Sequence, residues 1–323
     1  MISLREIDCC ILRELLQNGR KSVSTIAKQY GTSTDVIWKH YKELEKAGII
    51  AGATIQYNYP LFDYKGVASL LLNVEYQHIS EVLERLMKNP DIHASRVYNS
   101  IYNIAIITTF KSLKELESVK ERFTRQNSVV ASRIYLWTDV RNIPENLLLG
   151  GASFTQRPIM ENRPKKAARP SKVKLDNTDM QIVEKLSSSG RAPFSRIAKS
   201  LGVSTDTVSR RYDALLENDY IKVCVQINPL MLGYSGLLSF YVAFASESKK
   251  QAIESIAEIP DVSYLAKISG EYDMQVAVLV RQVQNIYEIN EKIMQISGIR
   301  KIEVDIRRIP PRWPGPKQYI STF

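Results

Sequence analysis

Cysteine and histidine are scarce in this 323-residue chain, with three of each. Cys9, Cys10 and Cys224 are too few and badly placed for a disulfide framework, and they lack zinc-ligand spacing. His40, His78 and His93 stand apart in the sequence and form no His/Cys/carboxylate cluster with metal-ligand spacing. No apolar run approaches the ~18 residues that a spanning helix needs, so no membrane segment is expected. The start, MISLREIDCC, lacks the basic-then-apolar order of a signal peptide. Gly-rich phosphate loops and nucleophile elbows are missing as well. The expectation is a protein of the reducing cytoplasm, with no catalytic residue, no metal and no cofactor.

What is present is a folded composition, 44% hydrophobic and 24% charged, with a formal net charge of +10. That length suggests two domains or more. A positive excess points to an anionic partner, nucleic acid before membrane. Its distribution qualifies this. Residues 1–155 carry 19 Lys/Arg against 16 Asp/Glu, and residues 175–305 carry 14 against 17. The excess lies in residues 156–174, with seven basic residues against one acidic, and 306–323, with four against none.

The chain is one unit written twice. At an offset of 171, Asp8, Ile11, Leu15, Gly19-Arg20, Ser24, Ile26-Ala27-Lys28, Gly31 and Ser33-Thr34-Asp35 recur as Asp179, Ile182, Leu186, Gly190-Arg191, Ser195, Ile197-Ala198-Lys199, Gly202 and Ser204-Thr205-Asp206. Tyr41/Tyr212 and Leu44/Leu215 continue the match. At an offset of 170, Tyr64-Lys-Gly66 meets Tyr234-Ser-Gly236, and Pro90-Asp91 meets Pro260-Asp261. Two copies of this length are a duplication, since solenoids need shorter periods and more copies.

Each copy begins with three helical stretches. Ile7, Ile11, Leu12 and Leu15 keep helical spacing until Gly19. Ser22 caps a short helix that Gly31 ends. Ser33 or Thr34 caps a third, with Ile37, Tyr41 and Leu44 inward. This is the helix-turn-helix pattern. A short strand pair is expected around Ile49–Tyr57 and Ile221–Ile227, making the unit winged. The remainder reads βαββαβ: Val67–Val74, Ser80–Lys88, Ile92–Tyr98, Tyr102–Phe110, Leu113–Arg125 and Val129–Trp137 in the first copy. The second copy gives Leu237–Phe244, Lys249–Glu258, Val262–Ile268, Met274–Val280, Val283–Ile296 and Ile299–Ile306. The fold class is therefore α+β, a tandem winged helix-turn-helix plus ferredoxin-like βαββαβ domain. The expected divisions are helix-turn-helix domains at 1–60 and 175–229 and ferredoxin-like domains at 61–155 and 230–308. A basic linker, 156–174, and a basic Pro-rich tail, 309–323, complete the chain.

The order Leu175-Asp-Asn-Thr-Asp179, Ile182, Gly190-Arg191, Ile197-Ala198, Gly202-Val-Ser204, Val208, Arg211, Leu215, Pro229 and Leu232-Gly233 resembles the Lrp/AsnC family of transcriptional regulators. The resemblance covers both copies. It implies a domain that binds double-stranded DNA and a domain that dimerises and takes an amino acid or other small effector. It also implies that chains form homo-oligomers; separately, the unlike recognition helices TDVIWKHYK and TDTVSRRYD suggest that the two halves pair within the chain and read different half-sites. Gly270-Glu-Tyr-Asp273 matches the family's Gly-x-x-Asp loop, whereas the first copy has Ser100-Ile-Tyr-Asn103. Gly270 and Asp273 are thus the effector-binding candidates, or turn residues. Two other function classes are weighed. Siroheme decarboxylases resemble this family in fold, but their strand-loop region is rich in His, Tyr and Arg. A sensor that has lost DNA binding is the other.

A recognition helix reads base edges from its exposed N-terminal residues. In the first copy these are Thr34, Asp35, Trp38, Lys39 and Lys42. In the second they are Thr205, Asp206, Ser209, Arg210 and Asp213. Arg210 suits a bidentate bond to guanine, and Lys39 suits phosphate. Trp38 packs on a thymine methyl or against the wing. His40 and Arg211 lie beside the inner face within reach of phosphate; for Arg211 the other reading is a pair with an acidic residue inside the domain, and His40 need not act as an arginine does. Ser33 and Ser204 cap the helices and are placed to touch phosphate. The linker and tail lie along phosphates or only solubilise.

Overall fold

The computed structural model describes residues 4–89, 92–125, 128–147, 174–245, 249–315 and 318–319. Residues 156–173 of the expected linker lie outside them. The chain forms two compact units, each assembled from both copies.

The first unit holds the helix-turn-helix segments. Its helices are α1 (Glu6–Gln17), α2 (Val23–Gln29) and α3 (Thr34–Lys46) from the first copy. From the second come α6 (Asn177–Ser188), α7 (Phe194–Leu201) and α8 (Thr205–Glu217). The periodic apolar residues are the core: Ile11, Leu12, Leu15, Ile26, Ile37 and Leu44, with Ile182, Leu186, Ile197, Val208 and Leu215, are all buried. Ser22, Ser33 and Ser204 each accept a hydrogen bond from the backbone N–H three residues on, satisfying a donor that the helix cannot.

The strands β1 (Ile50–Tyr57) and β6 (Ile221–Ile227) pair with each other, antiparallel, one from each copy. The expected strand pair is therefore a joint between copies. Gly19 and Gly190 make it tight. Gly19 N–H donates to Val223 O and Gly190 N–H to Ala53 O. A Cβ on Gly19 would come within 2.7 Å of the Cys224 carbonyl carbon, and one on Gly190 within 2.6 Å of Thr54 O. Only glycine lets backbone approach backbone so closely.

The tail also enters this unit. Trp313 exchanges two backbone hydrogen bonds with Ile227, and Tyr57 N–H donates to Gln318 O. Trp313 and Tyr319 are buried. The described part of the tail is thus packed at the ends of the β1–β6 ribbon. Sequence reading missed this because an isolated Trp-Pro among basic residues shows no strand period.

The second unit is a closed eight-stranded barrel. The first copy gives β2 (Gly66–Val74), β3 (His93–Tyr98), β4 (Ile104–Phe110) and β5 (Val129–Asn142), with α4 (Ile79–Met87) and α5 (Leu113–Thr124). The second gives β7 (Gly236–Phe244), β8 (Val262–Ser269), β9 (Met274–Val280) and β10 (Ile299–Arg307), with α9 (Lys249–Ala257) and α10 (Gln284–Met294). Each copy keeps the ferredoxin-like order, β3-β4-β2-β5 and β8-β9-β7-β10. The sheets join where β5 meets β8 and β10 meets β3. β5 runs to Asn142, beyond the expected Trp137, because Asp139–Asn142 pair with Lys267–Tyr264 of the other copy. Alternate residues such as Leu238, Phe240 and Val242 pack outward with the helices. Tyr135, Tyr241, Ser239 and Gln275 belong to the opposite, buried face.

Candidate nucleic-acid interface

The recognition helices α3 and α8 present the expected outer residues. Thr34, Asp35, Trp38, Lys39 and Lys42 are exposed. So are Thr205, Asp206, Arg210 and Asp213, while Ser209 is half-buried. Ser33 and Ser204 are exposed caps, Ser33 Oγ accepting from Val36 N–H at 3.3 Å and Ser204 Oγ from Thr207 N–H at 3.0 Å.

The two faces differ. Trp38 is 48% exposed and lies flat on Tyr41, ring centroids 5.6 Å apart and planes 11° apart. The Lys42 ammonium sits 4.8 Å over the Trp38 ring, so indole and cation face solvent as one patch. On α8 a shallow groove is lined by Asp206, Ser209, Arg210, Asp213, Ala214 and Glu217. There Arg210 stands among three carboxylates.

His40 and Arg211 turn inward instead. His40 Nδ1 is 2.7 Å from Asp8 Oδ1, and both residues are buried. Asp8 also accepts from the Arg5 backbone N–H at 2.8 Å and its Nε at 3.1 Å. Burial raises the Asp8 pKa, but the hydrogen bonds from His40 and Arg5 outweigh it and hold the carboxyl below its usual value. Arg211 Nη1 donates to Asp176 at 2.7 Å and Asp179 at 2.8 Å. For Arg211 this is the second of its two readings, and for His40 it replaces the expected reach to phosphate, because in each copy a carboxylate at the start of the first helix lies within reach. Each pair ties a recognition helix to that first helix.

In the second unit Asp273 accepts from Phe244 N–H at 2.8 Å and from Lys249 Nζ at 2.7 Å. Asn103 occupies the same place in the first copy, accepting from Val74 N–H and donating to Val74 O. Gly270 has φ 142°, and a Cβ there would come within 3.0 Å of the Tyr135 ring. Both therefore have structural work in the loop between β8 and β9.

Sequence reasoning missed a further pair. Arg20 and Arg191, from the repeated Gly-Arg dipeptide, each lie against an aromatic ring of the other copy's recognition helix. The signal was visible, since both dipeptides recur at one offset, but nothing local says what an arginine reaches.

Comparison with known proteins fits this geometry. Residues 4–51 match a winged helix-turn-helix DNA-binding family model, 175–216 an AsnC-type helix-turn-helix domain, and 242–307 an Lrp/AsnC ligand binding domain. The HTH-type transcriptional regulator LrpA of Pyrococcus horikoshii is 33% identical over 130 residues, which are 40% of this chain and 92% of that protein. The chain belongs to the Lrp/AsnC family of transcriptional regulators. An uncharacterised HTH-type regulator of Pyrococcus abyssi is 32% identical over 151 residues, 46% of this chain and 95% of that one. Such relatives match about half of the chain. This Lrp/AsnC regulator is a DNA-binding protein of tandem build. The crystal structure of the siroheme decarboxylase NirDL superposes with a TM-score of 0.65 at 15% identity, covering 98% of this chain and 94% of that one. It shows a shared fold over the whole length.

Proposed function

We propose that this chain regulates transcription as a built-in pseudo-dimer, α3 and α8 reading two unlike half-sites of one asymmetric operator. The observation carrying this is the β1–β6 joint, which fixes two different recognition helices within one unit. Thr34, Asp35, Trp38, Lys39 and Lys42 face one half-site, and Thr205, Asp206, Ser209, Arg210 and Asp213 the other. Ser33 and Ser204 lie where a cap touches phosphate. His40 and Arg211 act by holding their helices. In the cell this happens in the cytoplasm, without catalysis, and chains associate further as homo-oligomers. An amino acid or other small effector would act at the loop of Gly270 and Asp273.

Selection of bound sequences from a random DNA pool, with and without amino acids, tests this reading. An enriched motif with unlike halves is expected, whereas a perfect palindrome would overturn the division of labour. The decarboxylase fold motivates one control. Within the barrel, the Tyr135, Tyr241 and Tyr272 rings pack at 5.2–6.3 Å centroid separations, which supports an occupied interior. Added siroheme should leave the absorption spectrum as the sum of its parts.

A further inference from the structure

Arg20 belongs to the first copy, yet everything it grips belongs to the second. Its Nε donates to Gly190 O at 2.9 Å and its Nη2 to Ala192 O at 2.7 Å. Both carbonyls lie in the turn between α6 and α7. The guanidinium carbon sits 4.4 Å from the Phe194 ring centroid, at the first residue of α7. It is 5.1 Å from the centroid of Tyr212, on the inner face of α8. A planar fork that bonds in its plane and stacks on its face is held in both directions.

The second copy returns the contact in weaker form. Arg191 lies 4.9 Å over the Tyr41 ring, on the inner face of α3. Tyr41 in turn carries the stacked Trp38. Val23 stands where the second copy has Phe194, so Arg191 has one ring beneath it. Its buried Nη1 has no hydrogen-bond partner.

We infer that Arg20 and Arg191 are crossed positioning residues: each sets the recognition helix of the other copy, and Arg20 holds α8 more firmly than Arg191 holds α3. This rests on the reading that α3 and α8 engage separate half-sites. It adds a coupling, in that damage at one copy's Gly-Arg turn is read out at the other copy's DNA.

The test uses the full chain and the operator that it selects. Arg210→Ala, which relaxes preference within one half-site only, identifies the α8 half-site and leaves the other to α3. Arg20→Lys keeps the charge and removes the fork. Affinity is then measured on the intact operator and on two versions with one half-site scrambled. Arg20→Lys should weaken binding to the intact operator about tenfold, or about 1.4 kcal/mol. Scrambling the α8 half-site should then cost this variant nothing more, while scrambling the α3 half-site should cost as much as in the parent. Arg191→Lys should show the mirror pattern with a smaller loss.

Phe194→Leu is the second route, removing one ring under Arg20 without altering the arginine. It should give the α8-specific loss in milder form. Equal loss at both half-sites, loss at the α3 half-site or no loss for Arg20→Lys would overturn the inference and leave DNA reading intact. Failure of the parent chain to enrich any sequence would overturn both.

Discussion

The two recognition units solve one packing problem with their charges exchanged. In the second copy the cation sits on the recognition helix, Arg211, and the acids sit at the start of α6, Asp176 and Asp179. In the first copy position 5, the counterpart of Asp176, is the cation Arg5. It pairs with Asp8 and with Glu43 of α3, and His40 replaces the arginine. The link between first and third helix survives while its polarity is divided differently. The outer faces also diverge. α3 shows Trp38 beside Lys39 and Lys42, with Asp35 in its first turn and Glu45 2.7 Å from Lys42, whereas α8 shows one arginine among Asp206, Asp213 and Glu217. Three carboxylates disfavour nonspecific approach to phosphate. An arginine left among them gains most where a base edge offers it two acceptors. Under the proposed DNA reading, the contrast assigns affinity to α3 and discrimination to α8.

The largest effect should come from breaking what the copies share. Gly190→Ala puts a Cβ against Thr54 backbone, and Gly19→Ala puts one against Cys224 backbone. Backbone cannot swing aside as a side chain can, so each substitution should cost about 3 kcal/mol. Thermal unfolding of the two variants should show similar losses, because the joint is symmetric. A loss confined to one variant would break that symmetry.

Next in size is the inner pair of the first copy. Asp8→Ala leaves the buried His40 ring without its partner and removes the acceptor for the Arg5 backbone N–H and Nε, leaving Glu43 to Arg5's Nη2. An unmet buried polar group costs about 2 kcal/mol. Chemical denaturation should register this. His40→Arg in the same background should not restore it, since its carboxylate is gone.

On DNA the contrast predicts two unlike failures. Arg210→Ala should cost about 1.5 kcal/mol and relax preference at one position of one half-site. Lys39→Ala should weaken binding to all sequences alike and reduce the salt slope by about one. Titrations at several salt concentrations separate them. If Lys39→Ala changed base preference and Arg210→Ala did not, the assignment of affinity and discrimination would be reversed.

Much of this was legible in the sequence because it is local. The caps Ser33 and Ser204 and the inward Ile37, Tyr41 and Leu44 follow from spacing of a few residues, and the duplication from identity at one offset. The partner of an edge strand is not local. Nothing in Ile50–Tyr57 says that it pairs with Ile221–Ile227 of the other copy, or that β5 continues five residues past Trp137 along β8. Long polar side chains are the hardest to read. Arg20 follows the end of α1 and Arg211 sits mid-way along α8, and only the structure shows that one crosses to the other copy while the other stays at home.

The smallest expected effect lies at one loop position, where Asp273 and Asn103 differ by one atom type. Burial raises the Asp273 pKa, but the Lys249 hydrogen bond and the Phe244 N–H outweigh it, so the carboxyl titrates below its usual value. A carboxyl with a depressed folded pKa contributes stability that is full above its unfolded pKa of ~4 and is lost as pH falls through the folded value. Asp273→Asn makes the second copy like the first, where Asn103 keeps the backbone bonds and does not titrate. The pair with Lys249 is well exposed, so the variant should lose less than ~1 kcal/mol near neutral pH. Its stability should also fall less steeply than the parent's below about pH 4. An unchanged acid limb would mean that Asp273 stays within the ordinary aspartate range, and that the Asp273/Asn103 difference carries no electrostatic consequence for stability.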